Sequence, residues 1–266
     1  MRRPEHTPGR DGSSPPEGGR HLKLIGHLSA AAAPPHARWA IRLALCSAFG
    51  GACCVLHATF AGPALAAADG SDLAANGNKN GAAACSACHG NHGEGRPDAA
   101  YPRLDGLDSA YILQQLNDFA DRKRNNAIMA PIAKSLSPQE RQAVASFYSS
   151  QTAAKAPEPK TPDEKFVARG AMLALRGDWP KGLPGCSRCH GPNGEGVGGT
   201  FPRLAGQSAE YITQELKAWQ QGQRTNDPLH LMTGIATKID DGEIAAVAAY
   251  YASLPPAPAL RQGGSK

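Results

Sequence analysis

Cys85-Ser86-Ala87-Cys88-His89 and Cys186-Ser187-Arg188-Cys189-His190 are two copies of one pentapeptide, C-x-x-C-H. Two thiols three positions apart lie on successive edges of one helical turn, and the histidine that follows is carried to the same side. That spacing lets both thiols reach the two vinyl groups of one porphyrin while the imidazole binds its iron, which is the attachment pattern of c-type haem. Other uses of these cysteines fit less well. A zinc ribbon brings its second pair about fifteen to twenty residues on, whereas these pairs stand 101 residues apart. A thioredoxin-type pair needs a βαβ setting, and the chain shows no strand pattern to supply one. Two structural disulfides leave both adjacent histidines unexplained. The expectation is two covalently bound haem c groups, attached at Cys85, Cys88, Cys186 and Cys189, with His89 and His190 as iron ligands.

A haem with one histidine ligand keeps its sixth position open or closes it with Met or His. Beyond Met1 the chain has three methionines, Met129, Met172 and Met232. Met129 and Met232 follow their haem histidines by 40 and 42 residues, beside Pro131 and Pro228, and are expected in loops from which the thioether turns onto the iron. Met172 has no counterpart, lies on an expected helix and reads as core. His230 is the rival to Met232 and is read as a surface or supporting residue. His92 is too near His89 to reach the opposite haem face.

The elements that must position these groups are themselves duplicated. Gly90 to Gly95 faces Gly191 to Gly196, Tyr101-Pro-Arg-Leu104 faces Phe201-Pro-Arg-Leu204, and Phe147-Tyr148 faces Tyr250-Tyr251. Apolar spacing predicts a helix over 109–122 with Tyr111, Leu116 and Phe119 inward, and its partner over 209–221. A last helix in each unit starts at a capping box, Ser137 with Glu140 and Asp240 with Glu243. A further helix is expected over 166–176. The Gly-rich loops are too irregular for strands, so the fold expected is all-α, with residues 69–151 and 164–256 as two small helical domains and 152–163 as a Pro-rich connector. Each domain is small enough for a buried haem to complete its core.

Residues 1–68 read as a long positive segment and a secretory signal peptide, with Arg38 and Arg42, an apolar run over 43–56, and a cleavage site near Ala66 to Ala68. Residues 257–266 read as a flexible tail. The run is shorter than the roughly 18 residues a spanning helix needs, so no stable membrane insertion is expected. The whole chain carries 28 Lys and Arg against 23 Asp and Glu, and residues 1–66 hold +4 of the resulting +5. What remains is close to neutral, which argues against nucleic-acid binding. Covalent haem attachment outside the cytoplasm agrees with export to the periplasm.

Two haem motifs in tandem, the Gly-x-x-Gly-x-Gly loop after each, Pro-x-Leu and a late Met resemble the dihaem cytochrome c4 family of tandem class I cytochrome c domains. That resemblance implies that Pro102 and Pro202 offer their carbonyls to the haem histidines, and that Gly77 and Gly170 let the first and last helices cross closely. Arg103, Arg203, Arg124 and Arg224 are read as either propionate partners or solvated charge. One departure from that family pattern is 171–185, which holds an insertion-like Trp179-Pro-Lys-Gly-Leu-Pro184 stretch before the second haem motif. The function implied is a periplasmic single-electron carrier and not an enzyme. Its donor would be a quinol-oxidising complex or a dehydrogenase, and its acceptor a terminal oxidase. Two alternatives stand beside it, the cytochrome subunit of a larger dehydrogenase such as a flavocytochrome c, and a dihaem enzyme with an open haem site.

Overall fold

The computed structural model describes residues 68–152 and 163–257. The expected signal peptide, nearly all of the connector and the tail lie outside the described residues. The first half folds as α1 (Gly70–Asn76), α2 (Ser86–His89), α3 (Ser109–Ala120), α4 (Met129–Lys134) and α5 (Pro138–Ser150). The second repeats it as α6 (Glu164–Arg176), α7 (Ser187–His190), α8 (Ala209–Gln220), α9 (Leu231–Ala236) and α10 (Asp241–Ser253).

Local chemistry starts and stops these helices. Asp69 and Asp163 accept backbone N–H groups at the starts of α1 and α6, and Asp108 and Ser208 do so for α3 and α8. Both capping boxes form, with Ser137 and Glu140 closing on α5 and Asp240 and Glu243 on α10. Each half has its own core. Leu73, Ile112, Leu116, Phe119, Val144 and Tyr148 fill the first, and Leu173, Ile212, Leu216, Ile244, Val247 and Tyr251 the second.

Two expectations are corrected here. The glycine at the helix crossing of the first half is Gly70 and not Gly77. A Cβ at Gly70 would overlap the Ala143 carbonyl and come within 2.9 Å of Phe147 Cβ, just as one at Gly170 would overlap Ala246 O and lie 2.9 Å from Tyr250 Cβ. Gly77 instead ends α1. Met172 is not core, since it is 47% exposed on the outer face of α6. The all-α architecture carries one small exception. Gly177–Asp178 (β1) pairs antiparallel with Leu183–Pro184 (β2), and Trp179–Lys181 makes a single 3-10 turn between them.

A polar seam joins the two halves. The guanidinium of Arg124 stacks on Phe119 (4.5 Å), donates to Gln115 Oε1 (3.0 Å) and reaches Glu215 Oε1 (2.7 Å) and Tyr211 Oη (2.9 Å) across the boundary. Arg224 mirrors it, stacking on Trp219 (4.0 Å), pairing with Glu215 and donating back to Gln115 (3.1 Å). A second set joins Arg103, Asp105, Arg203 and Gln207. Gln207 exchanges two hydrogen bonds with the Arg103 backbone, and Arg203 reaches the backbone carbonyl and carboxylate of Asp105. All four arginines are buried, Arg103 to 2% exposure, so the reading as solvated charge is wrong for each.

Burial alone would push the Glu215 carboxyl up, but the guanidinium groups of Arg124 and then Arg224 outweigh it and hold its pKa below the usual value. A depressed folded pKa means that its stabilisation is complete above the ordinary carboxylate pKa of 4.5 and is lost as pH falls through the folded value. Glu215→Gln is expected to cost about 2–4 kcal/mol of holo-protein stability at neutral pH, by leaving two buried arginines short of their carboxylate. Thermal unfolding from about pH 3 to 7 checks this, because the gap between wild type and variant should close at the acid end. Gly170→Ala should lower the melting temperature by about 10 °C or more through forced separation of α6 and α10.

Candidate haem-binding sites

The cysteine–histidine segments form single helical turns, α2 and α7, each packed beneath the first and last helices of its half. Cys85 Sγ lies 4.0 Å from the Leu73 carbonyl of α1, and the Tyr148 hydroxyl of α5 neighbours the same thiol. Cys186 and Tyr251 repeat that neighbourhood. None of the four motif cysteines is paired in a disulfide. Burial pushes Cys85 up and Cys186 up to about 11, so neither is an activated thiolate of the thioredoxin kind.

Both histidines are buried, and each imidazole Nδ1 is held by a proline carbonyl. His89 Nδ1 lies 2.9 Å from Pro102 O, and His190 Nδ1 lies 2.8 Å from Pro202 O. A carbonyl only accepts, so Nδ1 carries the proton and Nε2 keeps its lone pair. Burial moves both imidazole pKa values below the ordinary range, against the opposing pull of the carbonyl, and so favours the neutral ring that a metal requires.

The intervening loop is what brings the proline back. Gly95 N–H donates to the His89 carbonyl (2.7 Å), Leu104 N–H to Gly93 O (2.7 Å), and Gly106 N–H to Tyr148 O (2.8 Å). The second half repeats all three, from Gly196 to His190 O (2.8 Å), Leu204 to Gly194 O (2.8 Å) and Gly206 to Tyr251 O (2.9 Å). Gly93 and Gly194 need their positive φ of 85° and 73°, and a Cβ on either would strike the ring of Tyr148 or Tyr251. The cradle is therefore built around a tyrosine of the last helix.

Met129 and Met232 are half-buried and pack against the two cores. They were expected in loops. Met129 instead opens α4 and Met232 is the second residue of α9, each a short helix lying over its core. Asn126 Oδ1 accepts from the N–H groups of Ile128 and Met129 (3.0 and 2.9 Å), which fixes the entry to α4. His230 is exposed with φ of 54°, and His92 is exposed.

These residues fit a covalent haem. The donor set in each half is two free thiols and a neutral imidazole with Nε2 unspent. The buried Tyr148 Oη, Tyr251 Oη and Trp219 Nε1 have no hydrogen-bond partner among the described residues. Among the same residues no three His, Cys, Asp or Glu side chains converge as they would on a bare ion.

Sequence reasoning missed two features. One is the arginine seam, because its partners lie across the repeat and only tertiary packing reveals them. The other is the run of two left-handed residues, Leu229 and His230, just before Met232. Its one sequence signal was spacing, since Met232 follows Asn226 by six residues where Met129 follows Asn126 by three.

Comparison with known proteins agrees with this geometry. The Cytochrome c family model matches twice, over residues 68–152 and 168–255. The thiosulfate dehydrogenase electron acceptor of Thiomonas intermedia is 49% identical over 177 residues, 66% of this chain and 81% of that protein. Among solved structures, reduced cytochrome c4 from Pseudomonas stutzeri superposes with a TM-score of 0.58 at 32% identity, covering 64% of this chain and 93% of that one. The thiosulfate dehydrogenase TsdBA of Marichromatium purpuratum gives a TM-score of 0.65 at 39% identity over 70% of this chain, which spans 40% of that longer chain. The chain belongs to the cytochrome c family, as a dihaem protein of cytochrome c4 type with two tandem class I domains, each binding one haem c covalently.

Proposed function

We propose that this dihaem cytochrome is the electron acceptor of a thiosulfate-oxidising dehydrogenase, working in the periplasm. The observation that carries the reading is the 49% identity to a protein of that description over 81% of its length, against 32% to the solved cytochrome c4. The match to part of a thiosulfate dehydrogenase chain supports it, since a domain pair like this one there shares a chain named for the enzyme. It favours the dehydrogenase-linked alternative over a free carrier between a quinol-oxidising complex and a terminal oxidase. Among the described residues no helix is long and apolar enough to cross a membrane.

In this reading Cys85 and Cys88 bind the first haem and Cys186 and Cys189 the second. His89 with Met129 would hold the first haem iron, and His190 with Met232 the second. The haems, when bound, supply one-electron ferric–ferrous chemistry. The protein's own task is to keep the coordination closed and the geometry fixed. Pro102 and Pro202 hold the imidazole tautomer, and Tyr148 and Tyr251 wall off the cysteine side. Closed ligation leaves no iron site for a substrate, so the chain receives electrons and does not itself oxidise thiosulfate.

The oxidised holo-protein is expected to be reduced by thiosulfate when a catalytic amount of thiosulfate dehydrogenase is added, and to stay oxidised with thiosulfate alone. Rapid reduction by a quinol-oxidising complex with none by the dehydrogenase would return the reading to a general respiratory carrier. Met129→Ala and Met232→Ala should each open one haem to carbon monoxide and lower the potential of that haem. Absorption spectra of the reduced protein with and without the gas check this, and unchanged spectra would remove the methionine from the ligand set.

A further inference from the structure

The two halves differ most on the outer face of α6. Met172 and Leu175 stand three apart on the last turns of α6, and Trp179 follows in the ribbon after α6 has ended at Arg176; the three are 47%, 44% and 66% exposed. The matching positions of the first half hold Asp72 and Ala75, and its loop over 78–80, one residue shorter than 178–181, holds no aromatic side chain. The ribbon holds the indole outward on a fixed support. Leu183 is buried beneath it, Lys238 Nζ donates to Gly182 O (2.7 Å), and Lys181 pairs with Glu243 (2.7 Å). An exposed tryptophan on a rigid mount, a few residues from two exposed large apolar side chains, is the composition of a binding hot spot rather than of a solvated face.

Charge indicates what covers it. Arg176 and Arg188 are exposed at the cysteine end of the stripe, and neither is ion-paired among the described residues. Their counterparts in the first half are Asn76 and Ala87. The nearby acids are already engaged, Glu243 by Arg169 and Lys181, and Asp178 by Lys181. Close packing of α6 on α7, with the backbone of Leu175 against Gly185, sets the stripe beside the segment carrying exposed Cys189.

We propose that Met172, Leu175 and Trp179, with Arg176 and Arg188, form the docking face for the electron-donating dehydrogenase, which meets it with an apolar patch rimmed by carboxylates. This rests on the function proposed above and assigns electron entry to the second domain. The test follows reduction of the oxidised holo-protein by thiosulfate dehydrogenase with thiosulfate, using wild type, Trp179→Ala, Arg176→Glu with Arg188→Glu, and Phe166→Ser at an exposed apolar side chain in the first turn of α6. Ascorbate reduction and the visible spectrum serve as controls that the haems are intact.

Trp179→Ala is expected to lower the second-order rate constant about tenfold at unchanged ascorbate rate. The double charge reversal should lower it by a similar factor at low salt and flatten its dependence on ionic strength, and Phe166→Ser should leave it within about twofold. Wild-type rates for both the Trp179 and the arginine variants would overturn the docking face while leaving the function standing. A wild-type protein that the dehydrogenase cannot reduce would overturn the function, and this proposal with it. Loss of a dimer in Trp179→Ala, with its reduction rate unchanged, would assign the face to a second copy of the chain and overturn it too.

Discussion

A buried imidazole must spend its N–H on something, and in both halves of this protein it spends it on a proline carbonyl. Much of the local architecture exists to make that bond possible. The carbonyl comes from a residue 12 or 13 positions away, too far for any helix to present. The chain therefore leaves its single helical turn and closes a tight loop through Gly93 or Gly194. The loop is then stapled to the last helix, from Gly106 to Tyr148 and from Gly206 to Tyr251. That staple needs the first and last helices to cross closely, which is why Gly70 and Gly170 carry no side chain. Tautomer, loop and crossing are thus one coupled constraint, repeated twice.

Duplication of that unit would give two independent domains but for the seam. The seam exchanges charge unevenly, since the partner of Gln115 in the second half is Glu215. One carboxylate therefore serves both Arg124 and Arg224, while Gln115 accepts from both without adding charge. Isolated, two buried guanidinium groups facing each other would repel strongly. Held by Glu215, Gln115 and Tyr211, they form a hydrogen-bonded set that fixes one domain against the other. For a protein that holds two redox centres, a fixed relation between domains is what makes the separation of those centres a constant of the molecule.

How much of this was legible in the sequence divides along physical lines. The haem motifs, the repeat, the long helices and both capping boxes were legible, because each is a local pattern whose chemistry lies within a few residues. The crossing glycine was misplaced by seven positions. α1 is short and its strongest signal is the Asp69 cap, whereas Gly77 came from the family resemblance although the Asn-rich stretch around it is a poor helix former. The ribbon beside Trp179 escaped because two-residue strands leave no alternation to read. Met172 was misjudged since a methionine at helical spacing fits a core face, and only packing shows which face is covered. The arginines were illegible for the deepest reason, as their partners lie about ninety to a hundred residues away.

The two halves also reach their late methionines differently, and the difference runs back to the seam. In the first half the Asn126 side chain caps the entry to α4. Its counterpart Asn226 is instead drawn into the seam, donating to Asp118 (2.6 Å) and Gln115 (3.1 Å). Asp227 takes over the capping, accepting from Thr233 N (2.9 Å) and Oγ1 (3.2 Å). The chain between Asp227 and Thr233 must then pass through two consecutive left-handed residues, Leu229 and His230, at a cost of about 1 kcal/mol or more each. The contacts that fix one domain against the other thus also anchor the segment presenting Met232, whereas Met129 is set by its own loop. Two equivalent asparagines, one capping a helix and the other spent in the seam, go with two unequal routes to the late methionines.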